Sequence, residues 1–228
     1  MAACRQLLCR YVKLQRTSVA DQYLALPAAL AIDWTWLTTL LRFQKELLSD
    51  QATIVKLTNH AYFNLSGALT DVLDHELQIE SDQTTLVDKS LIPTGQLASV
   101  EATALDFRSP RRIGERIEQL YDAAKGYDHN YVLRGEHGTL RLAAKVSEPK
   151  TGRVMECLTT EPGVQLYTAN GFNNNPFPRH GAFCLETQHY PDSPNHPEFP
   201  TVVVRPNVPW TSTTLFRFSV IPSKATSP

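Results

Sequence analysis

The sequence predicts an all-β protein of the sandwich or barrel kind, and three observations predict it. Beyond residue 50 the chain breaks into short runs rich in β-branched and aromatic residues, punctuated by Pro, Gly and Asn. Few helical periods of any length follow, so the strand–helix alternation of a parallel sheet is absent. Residues 139–158 also spell out a hairpin. Leu140, Leu142, Ala144 and Val146 alternate with Arg141, Ala143 and Lys145, Pro149-Lys150-Thr151-Gly152 supplies turn chemistry, and Val154 to Leu158 runs back.

The chain has 228 residues, 42% hydrophobic and 20% charged, enough to bury a sizeable core. Its net charge of −1 and the absence of a basic stripe argue against nucleic acid as a partner. Cys4, Cys9, Cys157 and Cys184 form no C-x-x-C pair, so free thiols in a reducing, cytoplasmic compartment are expected. Residues 1–20 carry Arg5, Arg10, Lys13 and Arg16 with no acid before Asp21, the pattern of a mitochondrial transit peptide. Serine is scarce there, which keeps the cytoplasm the first expectation. The apolar run 23–41 contains Pro27 and Asp33, and a mid-membrane Asp costs about 2.5–3.5 kcal/mol. A soluble helix or irregular leader is therefore expected rather than a membrane span.

Apolar spacing predicts a short amphipathic helix over 37–48, within a divergent leader of residues 1–50, and a β domain from 51 to 228. Residues 111–124 are the best helix candidate beyond it, one or two turns long. The stretch from Pro191 to Pro209 reads as an ordered loop leading into a last strand at 213–220.

Polar residues interrupt several strand-like runs. In 54–67, period-2 alternation places Val55, Leu57, Asn59, Ala61 and Phe63 on one face and Thr58, His60, Tyr62 and Asn64 on the other. A face of Thr, His, Tyr and Asn suits a sugar, although an ordinary sheet-surface histidine fits the same pattern. In GYDHNYVL (126–133), Asp128, His129 and Asn130 also make a serviceable turn. In AFCLETQ (182–188), Glu186 shares a face with Ala182, Cys184 and Gln188. Burial there would raise its pKa, and pairing with an arginine is the alternative. Gln165 alternates onto the face of Tyr167. The seven histidines match no zinc or calcium spacing, and there is no glycine-rich phosphate cradle.

The segments LTNHAYFNLSG (57–67), HELQIESD (75–82), IPTGQLASVEATALDFRSPRRIG (92–114), GYDHNYVL (126–133), PKTGRVMECLTTEPGVQLYTAN (149–170) and FCLETQHYPDSPNHPEFP (183–200) together resemble the galactose mutarotase (aldose 1-epimerase) family, in its order and spacing over residues 51–219. The resemblance implies a large antiparallel β-sandwich, incomplete at the N-terminus. It also implies interconversion of the α and β anomers of a free hexose such as galactose or glucose, with no cofactor and no metal. His60 matches the family's general acid and Glu186 its general base, while Asp128 and Gln165 match residues that hydrogen-bond sugar hydroxyls. An imidazole titrates near pH 6.5 and each positioned acid or base contributes about 10²–10⁴ in rate, which suits such chemistry. The chain departs from the family in residues 1–50, where neither the family's Asn-Arg pair nor its His-Gly-Gly motif occurs, and at Lys56, where Asn is usual. An exposed sheet edge and impaired turnover are the expected consequences. The alternatives are a non-catalytic carbohydrate-binding protein of the same fold and a glycoside hydrolase using Asp128 and Glu186.

Overall fold

The computed structural model describes residues 28–37, 39–121 and 124–221. Cys4, Cys9, the basic stretch 1–20 and the start of the apolar run 23–41 lie outside the described residues. The strands, in chain order, are β1 (Ala28–Leu37), β2 (Leu40–Ser49), β3 (Thr53–Ile54), β4 (Glu76–Ile79), β5 (Ser81–Val87), β6 (Pro93–Ser99), β7 (Arg111–Arg112), β8 (Asp128–Leu133), β9 (Arg141–Ser147), β10 (Arg153–Thr159), β11 (Gly163–Tyr167), β12 (Cys184–Gln188), β13 (Val203–Val204) and β14 (Trp210–Val220).

These form a seven-stranded sheet, β1-β2-β14-β10-β9-β4-β7, a five-stranded sheet, β12-β11-β8-β5-β6, and the small pair β13-β3. Every strand pairing among the described residues is antiparallel. One apolar cluster draws Leu77, Val146, Met155 and Phe216 from the larger sheet and Tyr131, Leu133, Val164, Leu166 and Leu185 from the smaller. The two sheets therefore share a core, as a sandwich requires. The hairpin read at 139–158 is β9–β10, and its turn closes at Gly152, whose φ of +71° suits a residue without a Cβ. The Pro-rich stretch is the connection into β14, carrying a short 3₁₀ turn at Ser193–Asn195 and β13.

Two expectations fail. Residues 40–49 are a strand, not a helix, and they pair with β14 along its length, so the larger sheet extends across the boundary expected at residue 50. Leu41, Phe43, Lys45, Leu47 and Ser49 alternate inward there. The charged Lys45 at the centre of that series hides the period of 2, and the remaining leucines then look helical. Residues 28–37 form β1, and no helix among the described residues is long and apolar enough to cross a membrane. The helix candidate at 111–124, expected to be one or two turns long, is two short 3₁₀ segments, Ile113–Glu115 and Ile117–Leu120, which turn Ile113 and Ile117 into the core.

Lys45 is only 2% exposed, and its ammonium donates to the carbonyl of Leu57 at 3.0 Å. Burial pushes its pKa down, and the nearby Glu161 carboxylate offsets part of that. Burial acts on Glu161 in the opposite sense, but the hydrogen bond from His189 (2.7 Å) and the charges of His189 and Lys45 hold it below the usual carboxylate range. Removing one member of a buried charged set leaves the other uncompensated. Glu161→Leu is expected to lower the unfolding free energy by about 3–5 kcal/mol in urea titrations. A variant as stable as the parent would show that Lys45 does not depend on this carboxylate.

Candidate active site

The site is laid out by the register of the five-stranded sheet. β11 is paired on both sides, so each of its residues lies between one of β8 and one of β12. Gln165 lies between Asn130 and Glu186, and Tyr167 between Asp128 and Cys184. Alternation turns Val164, Leu166 and Leu185 into the core and leaves Asp128, Asn130, Gln165, Tyr167, Cys184 and Glu186 on the other face. Asp128 is in a strand, and the turn reading of Asp-His-Asn does not hold.

His60 reaches this row from another part of the chain. Residues 55–64 run extended beside β12, tied by the reciprocal backbone pair of Phe63 and Phe183 (2.9 and 3.0 Å) and by the Thr58 hydroxyl donating to the carbonyl of Thr187 (3.1 Å). Counting three residues back from Phe63 and three on from Phe183 sets His60 opposite Glu186. The Lys56 ammonium donates to Gln188 Oε1 at 3.1 Å, further along the same edge. Exposure alternates along the segment in the predicted sense, with Val55, Leu57, Asn59, Ala61 and Phe63 more enclosed than Thr58, His60 and Tyr62. Phe63 anchors it against Phe216 at a centroid distance of 4.9 Å.

Four residues predicted for the site thus come together. His60 Nε2 lies 3.4 Å from Glu186 Oε1, with side-chain exposures of 48% and 12%. Gln165 Nε2 donates to Asp128 Oδ1 at 2.7 Å, leaving Gln165 Oε1 buried and without a partner among the described residues. The partner of Glu186 is the imidazole rather than an arginine. Burial raises the Glu186 carboxyl above the usual carboxylate range; His60 and Lys56 pull it back and Asp128 adds to the rise. The result is a half-enclosed base facing an imidazole, with a carboxylate and an amide beside it. Proton transfer to and from a polar ligand is what this set can do. Among the described residues no group of His, Cys, Asp and Glu is arranged to hold a metal ion.

The sequence placed Tyr62 on the face suited to a sugar but did not single out Tyr167, Cys184 or Asn130 as functional. Cys184 Sγ lies 3.4 Å from His60 Nδ1, and the rings of Tyr62 and Tyr167 flank His60 at 4.9 and 5.8 Å. The buried Asn130 lacks a hydrogen-bond partner for either amide atom among the described residues. A Cβ on Gly163 would come within 2.8 Å of its oxygen, so only glycine permits this packing. Each of these residues stands two positions from a predicted one, and the period of 2 is the signal that could have found them.

A sandwich with an imidazole–carboxylate pair on one sheet face defines a class of polar acid–base site, and comparison with known proteins specifies the family. The aldose 1-epimerase family model matches residues 37–217. The chain belongs to the aldose 1-epimerase family. It is 45% identical over 180 residues to the galactose mutarotase of Homo sapiens and 35% identical over 179 residues to the aldose 1-epimerase of Escherichia coli K12. These alignments cover 75% and 74% of the chain but 52% of each relative, so the chain spans about half the length of the relatives it matches. Among solved structures, a GalM/aldose epimerase homologue from C. elegans superposes with a TM-score of 0.75 at 25% identity, covering 86% of this chain and 61% of that one. The galactose 1-epimerase of Lactobacillus acidophilus gives 0.69 at 28% identity, covering 80% and 54%. The match beginning at residue 37 takes in β2, earlier than the motifs alone indicated.

The charges around Glu186 give a direct test. Asp128→Asn removes a repulsive neighbour and should move the Glu186 carboxyl titration to lower pH. Lys56→Met removes an attractive one and should move it to higher pH. Carboxyl ¹³C titration by NMR reads both shifts, and shifts of the opposite sign would refute this electrostatic account.

Proposed function

We propose that this chain is an aldose 1-epimerase acting on free hexoses such as galactose and glucose, with His60 and Glu186 as its acid–base pair. The observation that carries the reading is the 3.4 Å approach of His60 Nε2 to Glu186 Oε1 at the end of a polar row. In the cycle, Glu186 takes the proton of the C1 hydroxyl. The freed electron pair forms the C1 carbonyl as the bond from C1 to the ring oxygen breaks, and protonated His60 gives its proton to that oxygen. Rotation about C1–C2 presents the other face of the aldehyde. Reclosure runs the transfers backward, with His60 now the base and Glu186 the acid. Asp128 and Gln165 hold hydroxyls on the rest of the ring. The raised carboxyl of Glu186 suits a base working near neutral pH better than an ordinary glutamate would.

The half-exposure of His60 favours a second reading, carbohydrate binding without turnover, because catalytic proton transfers gain from exclusion of water. The cytoplasm is the compartment we propose, supported by the free buried thiols of Cys157 and Cys184.

Polarimetry of freshly dissolved α-galactose decides between turnover and binding. The purified chain is expected to speed the approach to equilibrium rotation, and His60→Ala and Glu186→Gln to reduce that acceleration by about 10²-fold or more each. A parent chain no faster than its His60→Ala variant leaves the binding reading in place.

A further inference from the structure

The face of His60 turned away from Glu186 carries a contact that the acid–base scheme does not use. Cys184 and Tyr167 are directly paired across β11 and β12, and both touch the imidazole. Cys184 Sγ lies 3.4 Å from Nδ1, and the Tyr167 ring meets the imidazole edge-on at 5.8 Å and 71°. Tyr167 is itself held, its hydroxyl accepting from the backbone N–H of Gly171 at 3.3 Å. We propose that this cross-strand pair is the seat of His60, and that Cys184 is a positioning residue whose thiol donates to Nδ1 and keeps the neutral imidazole as the Nε2–H tautomer, with that proton toward Glu186.

Several features argue for it. Cys184 is fully buried, and burial pushes its thiol well above the ordinary range, so the sulfur carries its proton. A thiol is both a weak donor and a weak acceptor. It can donate to the Nδ1 lone pair of the neutral ring and, after rotation of the S–H, accept from the Nδ1–H of the imidazolium. A carboxylate in this place would favour only the cation. A partner that serves both protonation states suits a histidine that acts as acid in one half of a cycle and as base in the other. The consequence for rate rests on the aldose 1-epimerase reading; the tautomer does not.

Two readouts on the same samples test the seat. Long-range ¹H–¹⁵N correlation spectra of the histidine-labelled chain at about pH 8, above the ordinary histidine range, report the tautomer of His60. The parent is expected to show a pyrrole-type Nε2 and a pyridine-type Nδ1. Cys184→Ala should give mixed tautomers, and Cys184→Ser, which keeps a donor, should restore the single form. In polarimetry Cys184→Ala should lower kcat about tenfold with little change in KM, the loss of one ordinary hydrogen bond, and Cys184→Ser should recover part of it. A parent in the Nδ1–H form, or an unaltered tautomer in Cys184→Ala, overturns the proposal. Should the alanine variant fail to fold, the parent and serine spectra decide alone. The predicted tautomers in samples that do not accelerate mutarotation support the seat and remove only the aldose reading.

Discussion

The backbone pair between Phe63 and Phe183 is the contact on which the site depends. Phe183 precedes β12 and Phe63 closes the extended segment that carries His60, and their reciprocal hydrogen bonds set the register between the two. Because side chains alternate along extended chain, a slip of one residue would turn His60 to the opposite face and set Asn59 or Ala61 beside Glu186. Packing fixes the register. The Phe63 ring lies among Phe183, Phe216 and Phe218, so a slip would also expose an aromatic side chain worth roughly 1.5–3 kcal/mol of burial. The chemistry of the surface row is thus held in place by an aromatic cluster beneath it.

The second constraint is that β11 is an interior strand. With β8 on one side and β12 on the other, it aligns residues from three separate stretches of sequence into rows across the sheet. Asp128, Gln165 and Glu186 are brought together by hydrogen-bonded ladders that do not depend on side-chain identity. The side chains then adjust locally, as when the Gln165 amide donates to Asp128. A paired sheet under the row fixes the separation of the groups it carries, as the proposed proton transfers require.

Much of this was legible in the sequence, and the reasons differ by segment. The period of 2 around His60 was readable because apolar residues occupy nearly every inward position, and the β9–β10 hairpin because Pro149 and Gly152 bracket its turn. The period failed at β2, where Lys45 occupies an inward position that partners distant in sequence, the Leu57 carbonyl and the Glu161 charge, make tolerable. It also failed at Asp128, since Asp-His-Asn is turn chemistry by local propensity and becomes a strand only through pairing with β11. Cross-strand neighbours could not be read at all: that Tyr167 and Cys184 lie beside each other under His60 follows from register, and register is a property of the assembled sheet.

In the function we propose, the row from Asp128 to Glu186, completed by His60, holds the anomeric end of a free hexose. A crystal structure of the chain soaked with D-galactose tests it most directly. The expected result is a pyranose lying along Asp128 and Gln165, with its C1 hydroxyl at Glu186 and its ring oxygen at His60. A sugar bound elsewhere on the sandwich, or bound here with C1 turned away from both groups, would contradict it.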